Sequence, residues 1–146
     1  IDFPPAGVKY PLWAWHTMNW KHQKPDLRGT EFRNYYEDQV CLEFEIPDNE
    51  VLLSDEECWH FVLNDWYYGD STNESDFDAE DAWFESLPQA KQKIIKKKSW
   101  EKIFAVSPPI DTKWNRRGMY IQATFWELRM EQVVSIRHFK GRRKNN

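Results

Sequence analysis

Three groups of side chains in this 146-residue sequence have types that could do chemistry. The first lies late in the chain, where Gln122, Thr124 and Glu127 are set beside Trp126. A carboxylate such as Glu127, held between Trp126 and Leu128, would be desolvated into an acid–base or ion-stabilising role. The competing reading is structural: a strand-end carboxylate paired to Arg129 or Arg137. The second group is Trp13, Trp15 and His16, two indoles with an imidazole beside them, read as part of a ligand pocket. The third is basic. Lys91, Lys93, Lys96, Lys97, Lys98, Arg116, Arg117 and residues 142–144 could follow a phosphate backbone, with Trp100 and Trp114 to stack bases.

Other chemistries are excluded or weakened by spacing. Asp70, Asn73, Asp76, Asp78 and Glu80 resemble a calcium loop but lack its glycine, its spacing and its terminal bidentate Glu. His16, His22, His60 and His138 show no pair at ligand spacing, so no metal is expected. With five Gly and no glycine-rich phosphate loop, nucleotide binding through a Walker or Rossmann turn is excluded. Two cysteines, Cys41 and Cys58, cannot form a disulfide framework and suit a reducing cytoplasm. No apolar run reaches the length of a membrane span, about 18 residues.

Charge is divided along the chain rather than mixed. Between Glu43 and Glu85 there are 15 Asp or Glu and no Lys or Arg, while residues 86–146 carry 15 basic against 4 acidic side chains. The halves neutralise one another across a fold, or the basic half faces an anionic partner. Nine Trp exceed what a small core needs, which points to a lined cleft or contact face in addition to the core.

The elements that must position these residues can be read from period and punctuation. Residues 119–139 read as strand, turn, strand, with Ile121, Ala123 and Phe125 on a core face and Tyr120, Gln122, Thr124 and Trp126 on the other. An earlier strand runs from Tyr10 to Trp20, and another over residues 40–46 turns Val40, Leu42, Phe44 and Ile46 inward, with Cys41, Glu43 and Glu45 outward. Val51-Leu52-Leu53 is a short return strand. Ser54-Asp-Glu-Glu57 reads as a capping box that starts a helix to about Tyr67, its buried stripe made of Trp59, Val62, Leu63 and Trp66. Further helices are predicted over residues 78–87 and 89–98. The result is an α+β fold with a mainly antiparallel sheet and two or three helices, in a single compact domain. Residues 1–9 are an irregular lead-in and 140–146 a basic mobile tail. Because the first residue is Ile, a segment upstream is expected to be missing.

Six stretches carry a resemblance. They are Tyr10-Pro-Leu-Trp-Ala-Trp-His16, Lys24-Pro-Asp-Leu-Arg28, Glu45-Ile-Pro-Asp-Asn-Glu-Val-Leu-Leu-Ser-Asp55, Trp59-His-Phe-Val-Leu-Asn-Asp-Trp66, Ser99-Trp-Glu-Lys-Ile-Phe104 and Tyr120-Ile-Gln-Ala-Thr-Phe-Trp-Glu-Leu128. On these the chain resembles a prokaryotic family, domain of unknown function 3841, whose members carry a further strand and helix ahead of the first stretch. More distantly, the layout is similar to compact ADP-ribosyltransferase-type domains. That likeness implies loss of nicotinamide from NAD, with Gln122 or Glu127 as the catalytic residue at the ribose hydroxyls and Trp or Tyr faces, Trp126 among them, stacking the ligand. The chain lacks that fold's first strand and has no Gln-x-Glu or Glu-x-Glu pair.

Two functions are therefore expected. One is an ADP-ribosyltransferase-like domain that takes NAD or another nucleotide in an aromatic-lined cleft between residues 10–15 and 120–126. The other is a binding module that uses Lys96, Lys97, Lys98, Arg116 and Arg117 against nucleic acid or an acidic protein.

Overall fold

Alternation of large apolar and polar side chains over residues 121–125 builds the central strand of the larger sheet. In the computed structural model, which describes residues 1–32, 37–109, 113 and 115–141, the strands are β1 (Leu12–Thr17), β2 (Asp38–Phe44), β3 (Leu52–Asp55), β4 (Ile121–Phe125) and β5 (Val133–Lys140). The helices are α1 (Trp59–Leu63), α2 (Glu74–Glu85) and α3 (Gln89–Ser99). Residues 142–144 and Trp114 lie outside the described residues. The fold is α+β with antiparallel sheets, as the sequence implied. Proximity within the chain defines two units, one of Ile1–Leu12, Gln23–Leu52 and Phe125–Asn146, the other of Trp13–His22 and Leu53–Thr124.

In the second unit β4 is flanked by β1 and β3 in one sheet. Ile121 is buried as expected, and removing such a side chain from water contributes about 1.5–3 kcal/mol. The strand-turn-strand reading of residues 119–139 is corrected here: β4 and β5 belong to different sheets, β5 pairing with β2. Likewise β3 does not return along β2 but joins β4.

The helical layer of this unit departs from the sequence reading at α1. Neither Ser54 nor Asp55 caps α1 itself, whose N-cap is Cys58; the turn leading into it is closed by Asp55 rather than Ser54, the Asp55 carboxylate accepting from the Cys58 amide at 3.0 Å, while the Ser54 hydroxyl accepts from the Trp59 indole at 3.0 Å. The helix stops at Leu63 instead of near Tyr67. Asp65 takes a left-handed conformation (φ 57°), and the amides of Asp65 and Trp66 turn back to the carbonyls of Val62 and Phe61, which is a Schellman closure built on Asp instead of Gly. The predicted stripe breaks with it. Trp59 and Val62 pack on the core of Cys58, Tyr68 and Ile103, whereas Leu63 and Trp66 are exposed. Helix α2 begins before the expected Asp78 because Asn73 caps it, accepting from the Asp76 amide at 2.9 Å, with Glu74 and Asp76 suiting the helix dipole. Pro88 separates α2 from α3.

In the first unit β2 and β5 form an antiparallel ribbon, Leu42 opposite Ile136 and Val40 opposite His138. Up to the register shift at Glu43/Phe44 its faces are the reverse of the sequence reading, whereas Phe44 and Ile46 beyond it are partly covered as expected. Val40, Leu42, Val134 and Ile136 are exposed, and the face with Cys41, Glu43, Arg137 and Phe139 is the covered one. The cause is the segment before β2. Lys24 pairs with Glu43 at 3.0 Å, Arg137 donates to the Pro25 carbonyl, and Phe32 packs edge-on against Phe139 at 5.9 Å. Phe125 is buried in this unit against Phe44, with centroids 5.3 Å apart.

Candidate functional site

A buried carboxylate organises the second unit. Asp55, at the end of β3, is 0% exposed. One oxygen accepts from the Cys58 amide and the other accepts a short hydrogen bond from the amide of Gly118. It thereby fastens the segment that carries Asn115, Arg116 and Arg117 to the start of α1. Gly118 is required for that approach. Its φ is +88°, and a Cβ there would lie 2.9 Å from the Val106 carbonyl oxygen.

The segment so held forms one wall of a cavity of about 330 Å³. Phe61, Tyr68 and Phe77 are its aromatic lining, Tyr68 being buried and stacked on Phe61 at 4.6 Å, and Ser71, Asn115, Arg116 and Arg117 give it donors, with Glu57 the carboxylate among them. Arg117 is oriented from two sides: its amide donates to the Asn115 side chain at 2.8 Å and its Nε to the Ser107 carbonyl at 3.3 Å. At the floor the Cys58 thiol donates to the Tyr68 hydroxyl at 3.2 Å. Burial pushes the Cys58 thiol up to about 12, with the Arg117 guanidinium pulling the other way. Burial and the neighbouring thiol raise the Tyr68 phenol in the same direction, against Asn115 and Arg117. Both groups therefore stay neutral at neutral pH, so the thiol is no nucleophile and neither group is an anion that competes for the arginines.

A second cavity, of about 430 Å³, shares Phe61, Gly69 and Phe77 with the first and opens between α1, α2 and α3. Glu80 stands on its α2 wall. Its carboxylate accepts from the amides of Asp70 and Ser71 and from the Tyr67 hydroxyl at 2.8–3.0 Å. Burial raises its pKa, but those hydrogen bonds outweigh the burial and hold it below the usual carboxylate value. Gly69 permits this approach, since a Cβ there would meet the Glu80 carboxylate at 2.5 Å.

The residues singled out from the sequence are distributed differently. Arg116 and Arg117 reach the first cavity and Lys96 the second, where Lys96 is paired to Asp65 at 2.6 Å. Lys97 and Lys98 are exposed on α3. Trp13, Trp15 and His16 lie on β1, which is the immediate neighbour of β4 in one sheet, so the expected cleft between those strands is closed by their pairing. In its place Trp13, Trp15 and Tyr120 form a row of edge-to-face rings, 5.7 and 6.1 Å between successive centroids. The Tyr120 hydroxyl donates to Asn19 at 3.0 Å. His16 stacks on His22 at 3.8 Å.

Gln122 and Thr124 are half-buried on β4 and line neither cavity just described. Trp126 and Glu127 belong to the first unit, where they line a smaller cavity of about 220 Å³ with Phe3, Glu50 and Arg129. There the Trp126 indole donates to the Asp2 carbonyl at 2.7 Å. Arg129 pairs with Glu50 and Glu131, at 3.1 and 3.3 Å, so the ion pair considered for Glu127 is made by other carboxylates. Three of the calcium-like acids are committed elsewhere: Asp70 to Lys102 at 2.7 Å, Asp76 to Asn73 and Glu80 to backbone amides. Among the described residues no group of three His, Cys, Asp or Glu could hold a metal ion, and no helix is long and apolar enough to cross a membrane.

The sequence reading missed Asp55, Glu57, Tyr68 and Asn115. The signal that could have found Asp55 was its place in the Ser54-Asp-Glu-Glu57 run, where two residues compete to cap one turn. No curated protein and no solved structure matches this chain. A family model described as Domain of unknown function (DUF3841) matches residues 2–134, and with nearly the whole chain covered, the chain belongs to that family.

Proposed function

We propose that the second unit binds a nucleotide, with its phosphates on Arg116 and Arg117 and its ring against Phe61, Phe77 or Tyr68. The observation that carries this is the first cavity, in which two arginines and an amide side chain converge beside three aromatic rings. Arginine suits this task because its planar fork meets phosphate oxygens two at a time. The buried Asp55 supports it by fixing the loop on which both arginines ride. For transfer chemistry of the ADP-ribosyl type, with NAD as the ligand, Glu57 is the carboxylate this cavity offers for a ribose hydroxyl. Gln122 and Glu127 stand outside this cavity. Free Cys41 and Cys58 fit the reducing cytoplasm in which such a ligand is abundant.

The test is a calorimetric titration with ADP. Binding that is lost in Arg116→Ala/Arg117→Ala but kept in Gln122→Ala supports the reading, and unchanged binding in the double variant sinks it.

A second reading, contact with nucleic acid, rests on Lys97 and Lys98, which are exposed on α3 and have no ion pair among the described residues. A steep linear fall of log K with log salt on single-stranded DNA, reduced in Lys97→Ala/Lys98→Ala, is its signature.

A further inference from the structure

We infer that the second cavity is a binding site for an organic cation, a trimethylammonium or a positively charged ring. Its walls are five aromatic side chains, Phe61, Trp66, Tyr67, Phe77 and Phe84, from α1, α2 and the segment between them. Four of its rings are already braced in two pairs: Tyr67 stacks on Phe84 at 4.3 Å and 5°, and Trp66 and Phe61 meet edge to face at 6.3 Å. Phe61 also stacks on Tyr68 at 4.6 Å. A ring stacked on one side keeps its other face, and a cation that sheds water against such faces is favoured over a neutral group of the same shape.

The ionised groups of the cavity decide the sign of its occupant. Four carboxylates line it, Asp65, Glu80, Asp81 and Glu85, against the single Lys96. Lys96 is spent on Asp65, and Glu80 is spent on the 70–71 backbone and Tyr67. That leaves Asp81 and Glu85, one turn apart on α2, with no cationic partner among the described residues. An anion would meet them with like charge, whereas a cation would complement them.

Phe61, Gly69 and Phe77 are common to this cavity and to the arginine-lined one. The ligand of the whole site would then be bipolar, cationic at one end and phosphorylated at the other, a corollary that rests on the nucleotide reading above. The cation site itself does not depend on it.

Choline and its neutral isostere 3,3-dimethylbutanol test the inference, titrated separately into the full chain and followed by calorimetry and tryptophan fluorescence. Choline should bind at least about tenfold more tightly than the alcohol, because only the charge differs. Asp81→Asn/Glu85→Gln, exposed positions whose melting temperature provides the folding check, should reduce that preference, while Arg116→Ala/Arg117→Ala should leave it intact. Equal binding of both probes, no binding of choline, or a preference untouched by the α2 double variant would overturn the inference. Inorganic pyrophosphate, run in parallel, reports on the arginine cavity alone, so failure of one reading is separable from failure of the other.

Discussion

Replacing Asp55 by Asn removes one charge and little volume, and the structure says what that change must cost. The carboxylate is fully buried and accepts from two backbone amides, those of Cys58 and Gly118, one on each oxygen. An Asn side chain keeps one acceptor and places an NH₂ donor against the other amide. One charge-assisted hydrogen bond, about 1.5–3 kcal/mol, is lost, and a buried N–H is left without a partner at about 1–3 kcal/mol. The two estimates overlap, because losing the bond is what orphans the amide, so the expected loss is about 2–4 kcal/mol. An opposing term exists. A buried carboxylate is costly to desolvate, and neutral replacements of buried charges are sometimes stabilising. Two backbone donors, one on each oxygen, offset that cost here. Urea unfolding followed by fluorescence measures the balance, with Asp55→Ala as the comparison that orphans both donors. A loss under about 0.5 kcal/mol, or a gain, would mean that desolvation dominates and that Asp55 does not fasten the arginine loop.

Gly118→Ala should cost about 2 kcal/mol or more in the same assay, because φ is +88° and the new methyl would press on the Val106 carbonyl. Asp65→Gly is a balance of opposed effects: the left-handed φ of 57° is relieved by about 1 kcal/mol, while the 2.6 Å pair with Lys96 is lost. A net change within about 1 kcal/mol is expected, and Asp65→Ala, which loses the pair and keeps the strain, should be clearly worse. Stability should fall on the alkaline side. The Cys58 thiol is raised from 9.0 to about 12 in the folded chain, so its contribution is complete below 9 and is lost as pH rises toward 12. A series of melts from pH 8 to 11 should show that decline shrink in Cys58→Ala. In the acid range the depressed Glu80 works in the opposite sense, adding stability above the ordinary carboxylate value that disappears as pH falls through its folded value. Glu80→Gln should flatten that acid limb.

The fold was legible where one physical rule acted alone. The alternation at Ile121 and Phe125 named buried positions, and Gln89–Ser99 was recognisable as a helix because Pro88 marks its start. It was illegible where two local signals competed or where a distant segment chose the face. Ser54 and Asp55 both offered a cap, and the acceptor that also met Gly118 prevailed. Asp65 gave no glycine signal for the turn that ends α1, so Trp66 was placed on the wrong face. Val40 and Leu42 looked inward by period alone, yet residues 24–32 cover the opposite side of that ribbon. Pairing partners were hidden for the same reason, since nothing local to β4 or β5 says that they join different sheets. Of the candidate site, Arg116 and Arg117 could be read as cations without a place. Their company with Tyr68, Ser71 and Phe61 depends on contacts across some 50 residues of sequence, which no local pattern encodes.

The most direct test of the account is amide hydrogen exchange with and without ADP. If the arginine cavity holds the phosphates, saturation with ADP should slow exchange at residues 68–71 and 115–118 and leave β2 and β5 unchanged. Protection confined to β2 and β5, or none at the arginine segment under saturating ADP, would contradict it.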